Sequence, residues 1–262
     1  MLKLKNLRPI ILSTIVVLLF IGCNNNYKVK SEFGNESPLD HSEWTALLQQ
    51  HVNAKGFVNY KGFIKDSVQL NKYLNKLTAN KPTDSWSKNA QLAYWINVYN
   101  AFTVKIVADN YPVASIKDVK KGIPFINSVW DIKFIPFKDG KMDLTEVEHG
   151  ILRKQFNEPR IHFAVNCASF SCPPLLNEAF TAEKLEAQLT KMSKAFLADE
   201  KRNIVRANKL QLSKIFSWFK GDFEKGQTLI EFLNLYAPLK INDDAKIDYL
   251  PYNWELNEVK NQ

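Results

Sequence analysis

One segment in the middle of the chain, 89–108 (NAQLAYWINVYNAFTVKIVA), carries apolar residues on nearly every face of a helix. A helix that is apolar all round is either a membrane span or the central helix of a soluble core. Gln91, Asn97, Asn100 and Lys105 interrupt the apolar surface and favour the core. The pattern therefore predicts a buried central helix whose few polar groups need hydrogen-bond partners.

The flanking segments have the shorter patterns of amphipathic helices and strands. Asp40 and Glu43 have the spacing of a capping box, which predicts a helix starting here. The turn Asp139-Gly140 predicts a β-hairpin between two short strands. Further predicted helices are 69–77, 144–156, 181–197 and 229–236; predicted strands are 57–63, 132–137, 141–144, 160–165 and 246–254, with a second hairpin over 203–212.

Helices and strands mix without the regular alternation of a parallel doubly wound sheet. The predicted fold class is therefore α+β. We expect a single domain over 37–262, in which the central apolar helix packs on a small, mainly antiparallel sheet.

The N-terminal segment has the order of an export signal. Three basic residues within the first eight are followed by an apolar run over 10–21, then Gly22 and Cys23. That run is too short to span a bilayer, and its ending, LFIGC, resembles a bacterial lipobox. We therefore predict a signal peptide over 1–22, a lipidated Cys23, a polar tether over 23–36, and a location in the bacterial cell envelope facing the periplasm or surface. The alternative is a plain cleaved signal with an incidental cysteine.

Composition excludes several function classes. The nine glycines form no G-x-G pair, so a glycine-rich nucleotide site is not expected. The H-E-x-x-H, G-x-S-x-G and EF-hand patterns are also absent from the sequence, so zincin, common serine-hydrolase and calcium-loop sites are not expected.

The formal net charge is +8, and residues 1–22 account for three of these charges, which leaves +5. The lysines are not clustered with interleaved aromatic residues, so no nucleic-acid partner is predicted. The expected partners are the membrane, through the lipid, and a peptide, amide or protein ligand.

Cysteine chemistry is the strongest candidate for activity. Predicted strand 160–165 runs straight into Cys167, and a loop at a strand end is where reactive side chains are presented. A cysteine nucleophile needs a histidine within hydrogen-bond reach. His149, on a predicted helix, is the first choice as base because its ring can face across a cleft; His162 would have to reach along its own strand. Cys172 precedes two prolines, which lack the N–H groups of an oxyanion cradle.

Two other interpretations of the same residues stay open. In an oxidising compartment Cys167 and Cys172 can form a disulfide, given a suitable Cα separation. These cysteines with His149 and His162 could also be four zinc ligands, although the C-x4-C spacing lies at the edge of the usual range. We predict no metal and no cofactor.

The amides of the central helix are the other unusual feature. Asn97 and Asn100 either tie down neighbouring backbone or, in a sharper interpretation, one of them or Gln91 orients a histidine or binds an oxyanion. We expect both asparagines to contact the segment 162–172.

Four segments carry a resemblance to a known family: QLAYWINVYNAF (91–102), VEHGILR (147–153), PRIHFAVNCASFSCPP (159–174) and DYLPYNWEL (248–256). They resemble the domain-of-unknown-function family 547, strongly over about 84–200 and less so near the C-terminus. The resemblance implies exported bacterial lipoproteins and plant relatives, with no established activity. The residues that match the family's motif positions are Asn97, Asn100, His149, Arg153, Arg160, His162, Asn166, Cys167, Ser171 and Cys172.

The predicted function joins these observations. It is a lipid-anchored cysteine hydrolase or acyl transferase acting on peptide or amide bonds, with Cys167, His149 and His162 as catalytic residues. The remaining motif residues are expected to bind the ligand. A distant likeness to papain-like or transglutaminase-like folds would need a permuted topology, because here histidine precedes cysteine. The alternative is a non-catalytic binding module with a structural Cys167–Cys172 disulfide.

Overall fold

The computed structural model of the chain describes residues 39–119 and 128–261. The predicted signal peptide, the tether and Cys23 lie outside these residues. The described α-helices are α1 (Ser42–His51), α2 (Tyr60–Lys65), α3 (Ser67–Ala79), α4 (Lys88–Asn110), α5 (Arg153–Gln155), α6 (Ile161–Ala164), α7 (Leu185–Ala198), α8 (Ile215–Trp218), α9 (Lys220–Phe223) and α10 (Leu229–Asn234). The strands are β1 (Ile135–Phe137), β2 (Gly140–Met142), β3 (Ile204–Val205), β4 (Lys209–Leu212) and β5 (Lys246–Tyr249). A π-helix spans Glu146–Leu152, and short 3-10 turns cover Ile116–Asp118, Val129–Asp131 and Val259–Asn261.

Helix α4 is the buried centre that the apolar pattern predicts. Its N-terminus is capped by Ser87, whose hydroxyl accepts the Ala90 N–H at 3.1 Å. The helix packs chiefly on α2, α3 and the π-helix, and Trp95 contacts the ring of Phe137 in strand β1. Of the helices in the described ranges, none has the length and hydropathy needed to cross a membrane.

The sheets are small and confirm the α+β class. Strands β1 and β2 form the first predicted hairpin, with its two-residue turn at Lys138-Asp139, one residue before the predicted turn Asp139-Gly140. Strands β3 and β4 form the second predicted hairpin, and β5 adds to β4 in parallel orientation. The apolar side chains of both sheets and of α4 belong to one hydrophobic core.

Two predicted strands are wrong, and both are short helices in the structure. The segment predicted as strand 160–165 forms α6, in which all four side chains are buried. A half-exposed strand would instead alternate buried and exposed side chains. The predicted strand 57–63 is interrupted at Asn59, whose side chain caps α2 by accepting the Gly62 N–H at 3.0 Å.

Two helices differ locally from the prediction. Helix α1 has no capping box: His41 is its first flanking residue, and Asp40 accepts hydrogen bonds from the backbone N–H and hydroxyl of Ser42. The predicted helix 144–156 starts as a π-helix and continues as α5. Because each π-turn takes an extra residue, side-chain directions depart from the α-helical period.

Candidate active site

The cysteines and histidines predicted as candidate site residues line one cleft of about 280 Å³. Cys167, Cys172, His149 and His162 all line it, and Glu148 of the π-helix joins them. Side chains from α4, α6, α8 and the C-terminal segment complete the lining. Concave sites with a few convergent polar groups are the usual form of ligand-binding sites.

Buried amides fix the segment that carries Cys167. Asn100 donates to the carbonyl oxygen of Ala164 at 2.9 Å, and its own oxygen accepts the N–H of Asn166 at 2.8 Å. Asn166 in turn accepts the N–H of Ala168 at 2.9 Å. Ala168 has a φ of 61°, a left-handed conformation that costs a non-glycine residue free energy. The strained residue therefore stands directly after the cysteine and is held there by Asn166.

The Cys167 thiol is half-buried and surrounded by hydrogen-bonding groups. Its sulfur lies 3.2 Å from the hydroxyl of Ser169 and 3.4 Å from that of Tyr252. The backbone N–H of Cys167 donates to the sulfur of Cys172 at 2.8 Å, and both cysteines are free. A hydrogen bond with the Cys172 thiol, followed by those with Ser169 and Tyr252, lowers the pKa of Cys167, whereas burial raises the pKa of Cys172. Cys167 is therefore the thiol that ionises first.

His162 is oriented by an ionised carboxylate. Its Nε2 lies 2.7 Å from Asp222, its ring stacks on Phe219 at 3.9 Å, and its Nδ1 is buried with no partner among the described residues. Hydrogen bonds from His162 and then Arg153 hold the pKa of Asp222 well below its usual range. Because an ionised carboxylate only accepts, Nε2 carries the proton and Nδ1 keeps a lone pair. Burial also lowers the pKa of His162, which favours the neutral ring.

His149 is an exposed side chain at the edge of the cleft. Its Nδ1 lies 2.9 Å from the guanidinium of Arg153, which can only donate. The proton of the neutral ring is therefore on Nε2. Partial covering of the ring by the cleft wall, followed by the positive charge of Arg153, lowers the pKa of His149. Among the described residues, the hydrogen-bond partners of the Cys167 sulfur are Cys172, Ser169 and Tyr252, and neither histidine is one of them.

Glu148 is a candidate that the sequence interpretation missed. Burial raises its pKa to about 7, a hydrogen bond from Tyr99 opposes the rise, and the nearby Cys167 adds to it. A signal was present in the sequence. Glu148 lies four residues after Leu144 and three before Ile151, on the face of the helix that carries core residues.

The other predicted binding residues are spread over several parts of the fold. Asn97 donates to the carbonyl of Phe180 and accepts its N–H, so the expected contact with 162–172 is confirmed for Asn100 and wrong for Asn97. Arg160 binds the carboxylates of Glu158 and Glu186 and does not line the cleft.

Two more of these residues support the cysteine loop. The hydroxyl of Ser171 accepts the N–H of Asn253 at 2.9 Å, which joins the loop to the C-terminal segment. Asn166 donates to the carbonyl of Pro173 at 2.7 Å. Within residues 39–119 and 128–261, no group of three or more histidine, cysteine or acidic side chains is arranged to hold a metal ion.

One known protein family has a model that matches part of the chain. Residues 83–197 match the model of the family described as a protein of unknown function, DUF547. The match covers the motif residues from Asn97 to Cys172 and supports the resemblance found in the sequence. No curated protein and no solved structure matches the chain, so the likeness to papain-like or transglutaminase-like folds stays a prediction.

Proposed function

We propose that the protein is a cysteine-dependent hydrolase or acyl transferase, with Cys167 as its nucleophile. The observation that carries this proposal is the Cys167 thiol in the cleft, hydrogen-bonded to Ser169 and Tyr252 and followed by the strained Ala168. Strain of this kind costs about 1 to 3 kcal/mol and persists only where the surroundings impose it, which is common at active sites. A thiol of lowered pKa is also the more readily ionised nucleophile.

The assigned tautomers divide the two histidines into different roles. His162 has a free lone pair on Nδ1 and is oriented by Asp222, which is the arrangement of a general base and its orienting carboxylate. His149 presents Nε2–H and therefore fits a hydrogen-bond donor to a substrate carbonyl oxygen. The tautomers thus favour His162 over His149 as the base.

The proposed reaction has two steps. The thiol proton passes to Nδ1 of His162, and the sulfur attacks the carbonyl carbon of an amide or ester to form a tetrahedral intermediate. The bond to the amine or alcohol breaks, the leaving group takes the proton from His162, and a thioester with Cys167 remains. Water, or an acceptor amine or alcohol, then attacks the thioester as His162 removes its proton, and that proton returns to the departing thiolate.

The lipid anchor belongs to the same proposal. The lipobox-like ending at Cys23 and the polar residues after it support export, lipidation and attachment at the bacterial envelope. The membrane is then a partner through the lipid, and the cleft faces an extracytoplasmic substrate.

A non-catalytic binding module is the second candidate. The side chains of Cys167 and Cys172 are hydrogen-bonded to each other, so their two sulfurs are neighbours that an oxidising compartment could join as a disulfide. A disulfide between them would remove the nucleophile and leave the cleft as a ligand-binding site.

Trapping an acyl-enzyme tests the proposal. The full chain in detergent is incubated with p-nitrophenyl acetate, and its peptides are analysed by mass spectrometry. We expect acetylation of Cys167, loss of the adduct in Cys167→Ser, and slower formation in His162→Ala. An adduct that forms only on surface lysines, or a Cys167–Cys172 disulfide in the untreated protein, would favour the binding module.

A further inference from the structure

Four aromatic side chains form a continuous surface along the cleft, which we call the aromatic rim: Trp130, Trp218, Tyr252 and Trp254. The ring centres of Trp130 and Trp254 are 5.7 Å apart, those of Trp218 and Trp254 are 5.8 Å apart, and those of Tyr252 and Trp254 are 4.5 Å apart. The rim comes from three separate parts of the chain. Trp218 remains 47% exposed, so packing within the protein uses only part of its surface.

The charges around the rim indicate a neutral ligand. No lysine or arginine is among the described residues that line the cleft, so an anion would find no basic partner there. Two protein cations already lie on rings of the lining: the ammonium of Lys117 is 4.4 Å from the ring centre of Trp254, and the guanidinium of Arg153 is 4.9 Å from that of Phe219. Cations of the protein therefore already occupy the cation–π positions on these two rings, which leaves a cationic ligand no free place on them.

Hydrogen-bond acceptors stand beside the rim. The hydroxyls of Ser128 and Thr145 donate to the two carboxylate oxygens of Asp131, at 2.6 and 2.9 Å. Because both hydroxyl protons are donated to Asp131, each hydroxyl oxygen can only accept a hydrogen bond from a ligand. Glu148 adds a carboxyl group to the same lining. The cleft therefore matches a ligand that has several donors and one flat apolar face.

We infer that the cleft binds a neutral sugar ring. The C–H face of a pyranose packs on the aromatic rim, and its hydroxyls donate to Ser128, Thr145 and Glu148. A purely aromatic or aliphatic ligand has no donors for these oxygens. The inference rests on the proposed function for one further step, that the substrate of Cys167 is an ester or amide on a carbohydrate.

Sugar binding is measured with the full chain in detergent and with Cys167→Ser, which cannot form a thioester. The probes are cellobiose and N,N′-diacetylchitobiose, with tetramethylammonium and benzoate as charged comparisons. Binding is followed by tryptophan fluorescence and by saturation-transfer NMR. We expect at least one disaccharide to bind with a Kd on the order of 1 mM or below, and both charged probes to bind more weakly.

Rim variants show where the sugar binds. Trp218→Ala is expected to weaken binding at least about tenfold, and Trp218→Phe, which keeps an aromatic ring, is expected to weaken it less. Tyr249→Ala is the matched control, because Tyr249 is an exposed aromatic residue, 37% accessible, outside the cleft lining. Circular dichroism confirms that the variants are folded.

The outcomes separate this inference from the proposed function. Binding of neither disaccharide, equal binding by wild type and Trp218→Ala, or preferential binding of tetramethylammonium would overturn the inference. Sugar binding by a protein whose Cys167 forms no acyl adduct would retain the inference and refute the cysteine chemistry. An acyl adduct on Cys167 without sugar binding would retain the cysteine chemistry and refute the sugar-binding inference.

Discussion

Replacing Asn100 by leucine tests whether this side chain holds the segment before Cys167 in place as well as stabilising the fold. The side chain is 2% exposed and makes two hydrogen bonds, to the carbonyl of Ala164 and from the N–H of Asn166. Leucine has a similar size but leaves both backbone groups buried and unpaired. At about 1 to 3 kcal/mol for each group, Asn100→Leu should lower the free energy of unfolding by about 2 to 6 kcal/mol.

The matched control lies one turn earlier on the same helix. Asn97 also makes two buried hydrogen bonds, but both join it to the backbone of Phe180. Asn97→Leu should therefore destabilise the protein by a similar amount. Only Asn100→Leu should also release the segment before Cys167, so that the pKa of this thiol rises toward the ordinary value of about 8.5.

Two assays on each variant read these effects separately. Urea unfolding, followed by tryptophan fluorescence, gives the free energy, and iodoacetamide alkylation in the folded protein gives the reactivity of Cys167 as a function of pH. The reasoning is refuted if Asn100→Leu unfolds at the wild-type urea concentration. It is refuted equally if Asn97→Leu shifts the Cys167 titration as far as Asn100→Leu does.

Three further predictions follow from the charges and the N-terminus. Burial raises the pKa of Glu148 from 4.5 to about 7, so the folded state retains a proton and stability falls as pH rises through that range. The free energy of unfolding of Glu148→Gln, measured in urea, should therefore exceed that of wild type by up to about 3 kcal/mol at pH 8 and equal it at pH 4. A constant difference across pH would contradict this. Asp222→Asn removes the anion that sets the His162 tautomer, so the rate of acyl-enzyme formation should fall by about 10² to 10⁴, and an unchanged rate would exclude His162 as base. Cys23→Ser should release the protein from membranes, as measured by cell fractionation. The lipid anchor is refuted if the variant still fractionates with the envelope and mass spectrometry finds no lipid on the wild-type protein.

Long, strongly patterned elements could be predicted from the sequence. Helix α4 and the two hairpins appear as the apolar periodicity and turn residues indicate. The elements predicted wrongly are short. In α6 and α2, four to six residues adopt a state that depends on burial from all sides or on a single cap at Asn59, rather than on a repeating pattern.

The structure brings the candidate residues together, but their roles depend on partners that the sequence did not indicate. Cys167, His149 and His162 line one cleft, although the strand that was expected to present Cys167 is a helix. Their tautomers depend on Asp222 and Arg153, and Asp222 lies 60 residues from His162 along the chain. The aromatic rim likewise depends on packing between distant segments, which no local pattern encodes.

The most direct test of the central claim is the pH dependence of Cys167 alkylation in the full chain. Iodoacetamide labelling is quantified by mass spectrometry on separate peptides, so that Cys167 and Cys172 are distinguished. The structure predicts an inflection for Cys167 clearly below about 8.5, an upward shift in Tyr252→Phe, which removes one hydrogen-bond partner of the sulfur, and little labelling of the buried Cys172. A Cys167 that titrates at or above the ordinary value, or one that reacts only after reduction of a disulfide, would contradict the assignment of Cys167 as a nucleophile.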